Sequence, residues 1–508
     1  MTGVTTPDGP SRAAGWRATY RAWDPGGWLT TALVTLVAAA MRLPNLGRPA
    51  ELVFDETYYV KDAWTLLNLG YEAQWPDDFD AAFEAGDVGG FREAPSYVVH
   101  PPVGKWVIAA GLRLLGAQDP VGWRLGVAVA GLLTVLLVVR IGRRLLGSTA
   151  LGAVAGLAVA LDGSAIAASR TALLDGVLAF WVVAAFAALL VDRDRTWTRW
   201  DADPLGTSTR LGLRPWRLAA GVLLGLAVGT KWSAVWFIAV FGLLTVGWDA
   251  VARHRAGQKG WWSAALVRDA PPAFLATVVV AALTYLASWF SWFRSSQAWG
   301  RQWATNAPDA AMPDALRSWG HYHQQIWDFH TSLSVDHPYA THPVGWLVQW
   351  RPTSFFYASP EPAGAACGAE TCSQAVTSLG NPLLWWVATM AVVAAVWWVV
   401  RRRDGVAVAA LSGLAAGWLP WFAYLDRPTF TFYAVAILPW LALTLAWAVG
   451  RLLAWARRDP GRGPAVATAL LVAAVVVVAA SLFFQPVWTA EPIPFEHWQM
   501  RQWLPSWV

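Results

Sequence analysis

Apolar runs of about 20 residues, the length that carries a helix across roughly 30 Å of hydrocarbon, recur along the chain with short polar breaks between them. They fall near 28–41, 121–139, 149–163, 171–191, 216–230, 232–248, 273–290, 382–400, 405–425, 429–450 and 464–484, which predicts eleven membrane-spanning helices. A further apolar stretch, 106–115, is too short to cross, and Lys105 and Arg113 give it a basic edge, so it is expected as a helix lying along the outer surface. The polar remainder leaves a tail at 1–26, a first membrane module at 27–290 with a large loop at 44–120, and a second large loop at 291–380. A four-helix membrane module at 381–484 and a tail at 485–508 complete an all-α polytopic membrane protein.

Composition agrees with the pattern. Hydrophobic residues make up 56% of the 508 and charged residues only 14%, where soluble domains carry about 25% charge. The net charge of +5 therefore does not point to nucleic acid; what matters is where the basic residues lie. With the N-terminus inside, the loops at 140–144, 193–217, 253–268, 401–403 and 451–462 are Arg-rich and the opposite loops hold most of the acids, which predicts a cytoplasmic N-terminus and an extracytoplasmic C-terminus. The 1–26 tail, with Arg12, Arg17 and Arg21, lacks the apolar core of a cleaved signal and is expected to stay on. Many of the 37 tryptophans stand at the ends of runs, as Trp385-Trp386 and Trp397-Trp398 do, which suits interfacial belts. Cys367 and Cys372, the only cysteines, are placed to close a small disulfide if their loop lies outside the cell.

The candidate chemistry gathers at the outer ends of the spans. Leu52-Val53-Phe54-Asp55-Glu56-Thr57-Tyr58-Tyr59 follows the first span, and two carboxylates beside hydrocarbon are retained mainly for charge or proton work. The alternative is that they cap a surface helix. His100, Lys105, Arg124, Asp162, Arg170, Asp175, Lys231 and Arg427 fall at the same level. Cations at one leaflet make a seat for a lipid phosphate, although Arg124 and Arg170 could equally snorkel to headgroups and Asp175 could pair with Arg170. His321, His323, His330, His337 and His342 match no common metal spacing, so no metal site is expected. The chain has no Walker A, GxGxxG or HExxH motif. It also has no internal repeat of the kind found in secondary transporters.

Read in order, Phe54-Asp55-Glu56, His100-Pro101-Pro102-Val103-Gly104-Lys105, Arg124, Ser169-Arg170-Thr171-Ala172-Leu173-Leu174-Asp175 and Gly229-Thr230-Lys231-Trp232 resemble the protein O-mannosyltransferases in their actinobacterial form, and the likeness runs from the first span to the Trp-rich C-terminus. The resemblance implies a GT-C fold and a plasma-membrane enzyme. Such an enzyme moves mannose from polyprenyl phosphate mannose to Ser or Thr of exported, unfolded proteins, with coupling to the secretion channel as a natural partner. It implies Asp55 as catalytic base and Glu56 positioning the acceptor or Asp55. Arg124, Arg170 and Lys231 fall on the donor phosphate, with His100, Lys105, Asp162, Asp175 and Arg427 in support. A single base acting on the face opposite the leaving phosphate predicts inversion, from a β-linked donor to an α-mannoside; no cofactor beyond the lipid-linked donor is expected, and dependence on a divalent ion and oligomeric state stay open. Eukaryotic members carry β-trefoil repeats in the large external loop, and 291–380 is too short for them. The alternatives are transfer of the sugar to a glycolipid or cell-wall glycan, and a flippase for a lipid-linked sugar.

Overall fold

The computed structural model describes residues 24–202, 214–306 and 311–508. The tail arginines Arg12, Arg17 and Arg21, the 203–213 part of the loop expected at 193–217, and 307–310 within the second large loop lie outside the described residues.

Counting helices of eight residues or more, and taking Trp261–Ser288 as one, there are α1 (Pro25–Arg42), α2 (Glu56–Leu69), α3 (Val103–Leu115), α4 (Pro120–Leu146), α5 (Thr149–Ala160), α6 (Gly163–Arg170), α7 (Leu174–Ala202) and α8 (Pro215–Val228). Then come α9 (Val235–Arg255), α10 (Trp261–Ser288), α11 (Asp314–Ser332), α12 (Pro382–Arg402), α13 (Gly405–Gly417), α14 (Leu438–Ala456) and α15 (Arg462–Phe484). Among the described residues eight helices are long and apolar enough to cross a membrane: α4, α7, α9, α10, α12, α13 together with the 3-10 turn that carries it to Ala423, α14 and α15. The α5–α6 pair, bent by 59°, would make a ninth span. The two other hydropathy runs coincide with α1, of 18 residues, and α8, of 14.

The boundaries follow local chemistry. Asp119 caps α4 by accepting from the Val121 amide, with Pro120 at the first helical position and Gly147 left-handed at the end. The expected span at 429–450 opens with a 3-10 helix over Thr431–Ala436 and becomes α-helical only at Leu438, where Pro439 sits in the first turn and costs no hydrogen bond. The span expected at 273–290 begins instead at Trp261, and wide π turns flank Pro271-Pro272, which have no N–H to donate.

The bend between α5 and α6 frees carbonyls, and buried Arg42 takes those of Val159 (2.9 Å) and Ala160 (2.8 Å). At the same corner Asp162 caps α6 through Ala165 N and accepts from Asn381 N (3.0 Å) and Trp385 Nε1 (2.6 Å) of the α12 start. Asp162 is thus fully engaged in holding the corner, and its expected supporting role is a structural one.

Outside the helices the only sheet among the described residues is antiparallel, in the order β1 (Thr353–Ala358), β2 (Cys372–Ser378), β3 (Ile493–Pro494). Hydropathy did not reveal it. A disulfide joins Cys367 to Cys372 at the start of β2. The 485–508 segment supplies β3 and returns Trp507 Nε1 to the Gln349 carbonyl (2.7 Å), so the second loop and the C-terminal segment pack as one unit. Helix α3 starts earlier than expected, at Val103, and buries Lys105 between Glu72 and Asp62 rather than offering it as a basic edge.

Candidate active site

The chain leaving α1 forms a loop over 43–55 whose carbonyls find few partners within the loop, and two buried arginines supply them. Arg170 donates to the carbonyls of Arg42, Pro44 (2.8 Å) and Asn45 (2.6 Å). Arg124 spends all five N–H groups: on the carbonyls of Leu46, Pro49 and Glu51, and on both oxygens of Glu56 at 2.8 Å. Glu56, with no exposed surface, also accepts from Val53 N (3.0 Å) and Ala172 N (2.6 Å). A carboxylate and a guanidinium so completely satisfied form a brace between α2, α4 and the α6–α7 turn. Neither Arg124 nor Glu56 has a group left for substrate, and Arg170 gives its two terminal nitrogens to the loop while its Nε stays unpartnered among the described residues. For Arg124 this departs from the expected phosphate contact, while Glu56 is placed to hold the turn that carries Asp55, one of the two roles expected of it.

The brace fixes what comes between. Phe54 is held at φ 53°, a left-handed conformation that costs an aromatic residue about 1–3 kcal/mol unless its surroundings over-determine it. Its ring stacks on Phe355 of β1 (5.0 Å between centroids) and meets Phe432 edge-on (5.5 Å). The next residue, Asp55, heads α2 without capping it, so its carboxylate is free of helix duty; Tyr59, one turn on, donates its hydroxyl to it at 3.2 Å. Asp55 is half-buried. Burial pushes its pKa up, the Lys231 ammonium pulls against that, and the Asp175 carboxylate adds to it.

Lys231, between α8 and α9, pairs with Asp175 in the first turn of α7 at 2.8 Å and lies 4.8 Å over the Tyr433 ring. Burial alone would lower the Lys231 pKa; Asp175, Tyr433 and Asp55 carry it upward instead, so it stays charged. The structure thus pairs Asp175 with Lys231, not with Arg170. His100 lies 5.5 Å from His330 of α11 and 6.1 Å from Tyr59. Both imidazoles have a buried Nδ1 without a partner. Burial, then Lys231 and the His330 ring, holds His100 well below the usual histidine value, and burial with Arg427 holds His330 at about 4. The Arg427 guanidinium reaches only the His330 carbonyl, at 3.5 Å, stands 5.8 Å from Trp421, and has no carboxylate partner among the described residues. The site therefore combines one accessible base, one cation already paired, one cation unpaired, and two neutral imidazoles with unused ring nitrogens.

Of the residues expected from sequence, Asp55, His100, Asp175, Lys231 and Arg427 converge, while Glu56, Lys105, Arg124, Asp162 and Arg170 serve the frame around them. Tyr59, His330 and Tyr433 are additions. His323 and His330, seven residues apart and so two turns along one face of α11, carried a periodic signal that the metal-spacing test did not use.

Residues 32–267 match the family described as dolichyl-phosphate-mannose-protein mannosyltransferase, and 315–507 match the C-terminal four-transmembrane region of protein-O-mannosyltransferase. Polyprenol-phosphate-mannose–protein mannosyltransferases are similar over nearly their whole length. That of Mycolicibacterium smegmatis is 38% identical, covering 95% of this chain and 93% of the relative. That of Mycobacterium tuberculosis is 37% identical (95% and 92%), and that of Corynebacterium glutamicum 33% (94% and 93%). The chain belongs to the protein O-mannosyltransferase family. Its fold matches the S. cerevisiae protein O-mannosyltransferase complex bound to the sugar donor with a TM-score of 0.73 at 15% identity, over 97% of this chain and 94% of that one. The archaeal oligosaccharyltransferase AglB of Archaeoglobus fulgidus gives 0.51 at 15% identity, over 95% and 59%. Both matched regions of this protein O-mannosyltransferase contribute to the site: the first holds Asp55, His100, Asp175 and Lys231, the second His330, Arg427 and Tyr433.

Proposed function

We propose that this chain transfers mannose from polyprenyl phosphate mannose to Ser or Thr hydroxyls of exported proteins, with Asp55 as the base. The observation that carries the reading is the Asp55 carboxylate, unengaged by helix or ion pair and presented on a strained, braced turn beside Lys231, Asp175 and Arg427. A Ser or Thr hydroxyl is a poor nucleophile until its proton leaves during attack, and one carboxylate in reach is sufficient. A departing phosphate needs charge stabilisation more than a proton. Arg427 supplies that, Lys231 shares it with Asp175, and the unused ring nitrogens of His100 and His330 lie close enough to join. Of the two carboxylates that flank Asp55 most closely, Glu56 is occupied by Arg124 and Asp175 by Lys231. With Glu56 and Asp175 both engaged and neither free to act as nucleophile, direct displacement with inversion is favoured over a glycosyl-enzyme intermediate.

The step balances without a cofactor. The Arg-rich loops lie in the cytoplasm, and the site with the C-terminal segment faces outward. An acceptor that must reach a half-buried carboxylate arrives unfolded, and coupling to the secretion channel delivers it in that state.

The test is transfer of labelled mannose from polyprenyl phosphate mannose to a Thr-rich peptide, in membranes holding the wild-type chain or Asp55→Asn. The reading expects label in the peptide with wild type and none with the variant. Near-wild-type turnover by Asp55→Asn would refute the base, and label in lipid alone would refute the protein acceptor.

A further inference from the structure

At the end of the membrane helices remote from Asp55, a cavity of about 510 Å³ opens between the last turns of α12 and α14. Helix α14 starts five residues after Tyr433 and rises about 1.5 Å per residue, and its lining residues Arg451 and Trp455 come 13 and 17 residues on, so the cavity stands about 20–26 Å of helix away from the site above. Trp398 and Arg402 line it from α12, Arg451 and Trp455 from α14, and Arg458 from the turn beyond. Asp404 is the one acid in its wall, and both its oxygens are engaged. One caps α13 through Val406 N (2.9 Å) and Ala407 N (3.2 Å), and the other takes Arg451. Arg451 is fixed further by lying over Trp398 (5.6 Å) and Trp447 (5.5 Å). Arg402 and Arg458 have no ionic partner among the described residues, and both are exposed.

Basic residues at helix ends are ordinary in membrane proteins, and a diffuse belt needs no cavity. Here the charge is shaped. Two indoles wall the cleft, one guanidinium is pinned at its base, and two more flank it with unused donors. Beside it Trp397 and Val400 of α12 and Leu452 and Trp455 of α14 are exposed apolar residues, with Arg462 lying 4.7 Å over the Trp455 ring. An anionic group that sits at the edge of hydrocarbon against such a wall carries hydrocarbon of its own.

We infer that this cleft binds the phosphodiester headgroup of an anionic phospholipid, with Arg402, Arg451 and Arg458 on the phosphate and the acyl chains along the apolar wall. The site is separate from the one proposed for the sugar donor, and the inference does not depend on that reading.

The purified full chain, reconstituted in nanodiscs of phosphatidylcholine with a minor share of phosphatidylglycerol, is examined by native mass spectrometry for lipid that stays bound. Wild type should retain phosphatidylglycerol in preference to phosphatidylcholine. Arg402→Gln with Arg458→Gln should lower that preference at least about tenfold, the worth of losing even one direct charge-assisted hydrogen bond to the phosphate. Arg401→Gln with Arg403→Gln removes the same charge from exposed neighbours outside the cavity wall and should leave the preference intact. No preference in wild type would overturn the inference. So would equal loss in the two double variants, which means a diffuse belt, or displacement of the lipid by inorganic phosphate at ionic strength matched with chloride, which means a free-anion site.

Discussion

Glu56→Gln keeps the shape of the side chain and removes its charge, and so separates a bracing role from a chemical one. In the native protein the Glu56 carboxylate neutralises Arg124 where neither side chain has any exposed surface. Removing one partner of a buried pair costs about 3–5 kcal/mol, because the other charge is left uncompensated. The substituted side-chain amide still offers one oxygen, so the amides of Val53 and Ala172 keep part of what they have. Arg124→Gln is the harsher change. It strands Glu56 and also orphans the carbonyls of Leu46, Pro49 and Glu51, at about 1–3 kcal/mol each. Against a typical total stability of about 5–15 kcal/mol, Glu56→Gln should fold with a lowered unfolding temperature and Arg124→Gln should accumulate little folded protein. Asp55→Asn, which touches only the Tyr59 hydroxyl, should unfold close to wild type while losing transfer. The measurement is thermal unfolding of the three variants in detergent, followed by size-exclusion of the tagged protein, with mannosyl transfer assayed below the onset of unfolding. A Glu56→Gln protein that unfolds at the wild-type temperature yet fails to transfer mannose would refute the bracing assignment and return Glu56 to the chemistry.

The pH profile carries a second expectation. Asp55 must be ionised to take a proton and its pKa is raised, so transfer should climb with pH through a limb lying above the ordinary carboxylate range near 4. Lys231→Met removes the charge that pulls this pKa down and should move the limb further up; a limb at the ordinary value in wild type would contradict the burial of Asp55. Arg427→Gln should raise the KM for the lipid-linked donor by about tenfold to a hundredfold, the worth of one charge-assisted hydrogen bond, with the unfolding temperature unchanged. A normal donor KM would remove Arg427 from the phosphate.

The helices were legible because a helix in lipid must be apolar for most of its length, and all eleven runs fall on helices even where Pro439 or Pro271-Pro272 shifts the ends. The ordered motifs were sufficient to place the chain in its family. They did not reveal which charges would be spent on the frame. Arg124, Arg170 and Lys231 look alike along the sequence, all near one level of the membrane. Their fates differ because the 43–51 loop turns at Pro44 and Pro49 and leaves carbonyls that demand donors, and only Arg124 and Arg170 stand behind it. Lys105 likewise met Glu72, a loop residue far from it in sequence. The run Thr353-Ser354-Phe355-Phe356-Tyr357-Ala358 carries strand-forming residues, but β3 is two residues long and no pattern in so short a piece announces a partner. His330 was missed because its histidines were tested for metal spacing rather than for the face of α11 they share.

The electrostatics of the site make one further demand on the proposed reaction. The donor enters as a phosphodiester with one negative charge, and its polyprenyl phosphate leaves with two. The hydroxyl proton moves at the same time to Asp55, which goes from one negative charge to none, so the total charge between Asp55, Lys231, Asp175 and Arg427 does not change. Lys231 is already balanced by Asp175, so without that transfer the new phosphate charge would face Arg427 alone. Burial, with the Asp175 carboxylate, already raises the Asp55 pKa and so favours its protonated form beside the product phosphate. Polyprenyl phosphate should therefore bind Asp55→Asn, whose side chain is neutral at every pH, more tightly than wild type wherever wild-type Asp55 is ionised. The ratio of the two dissociation constants should fall to about one as pH drops below the Asp55 pKa. Titration of the phosphate itself is common to both proteins and cancels in the ratio. Equilibrium binding of labelled polyprenyl phosphate to the two purified proteins across that range measures it, and a ratio that does not vary with pH would show that Asp55 does not share the cavity with the leaving phosphate.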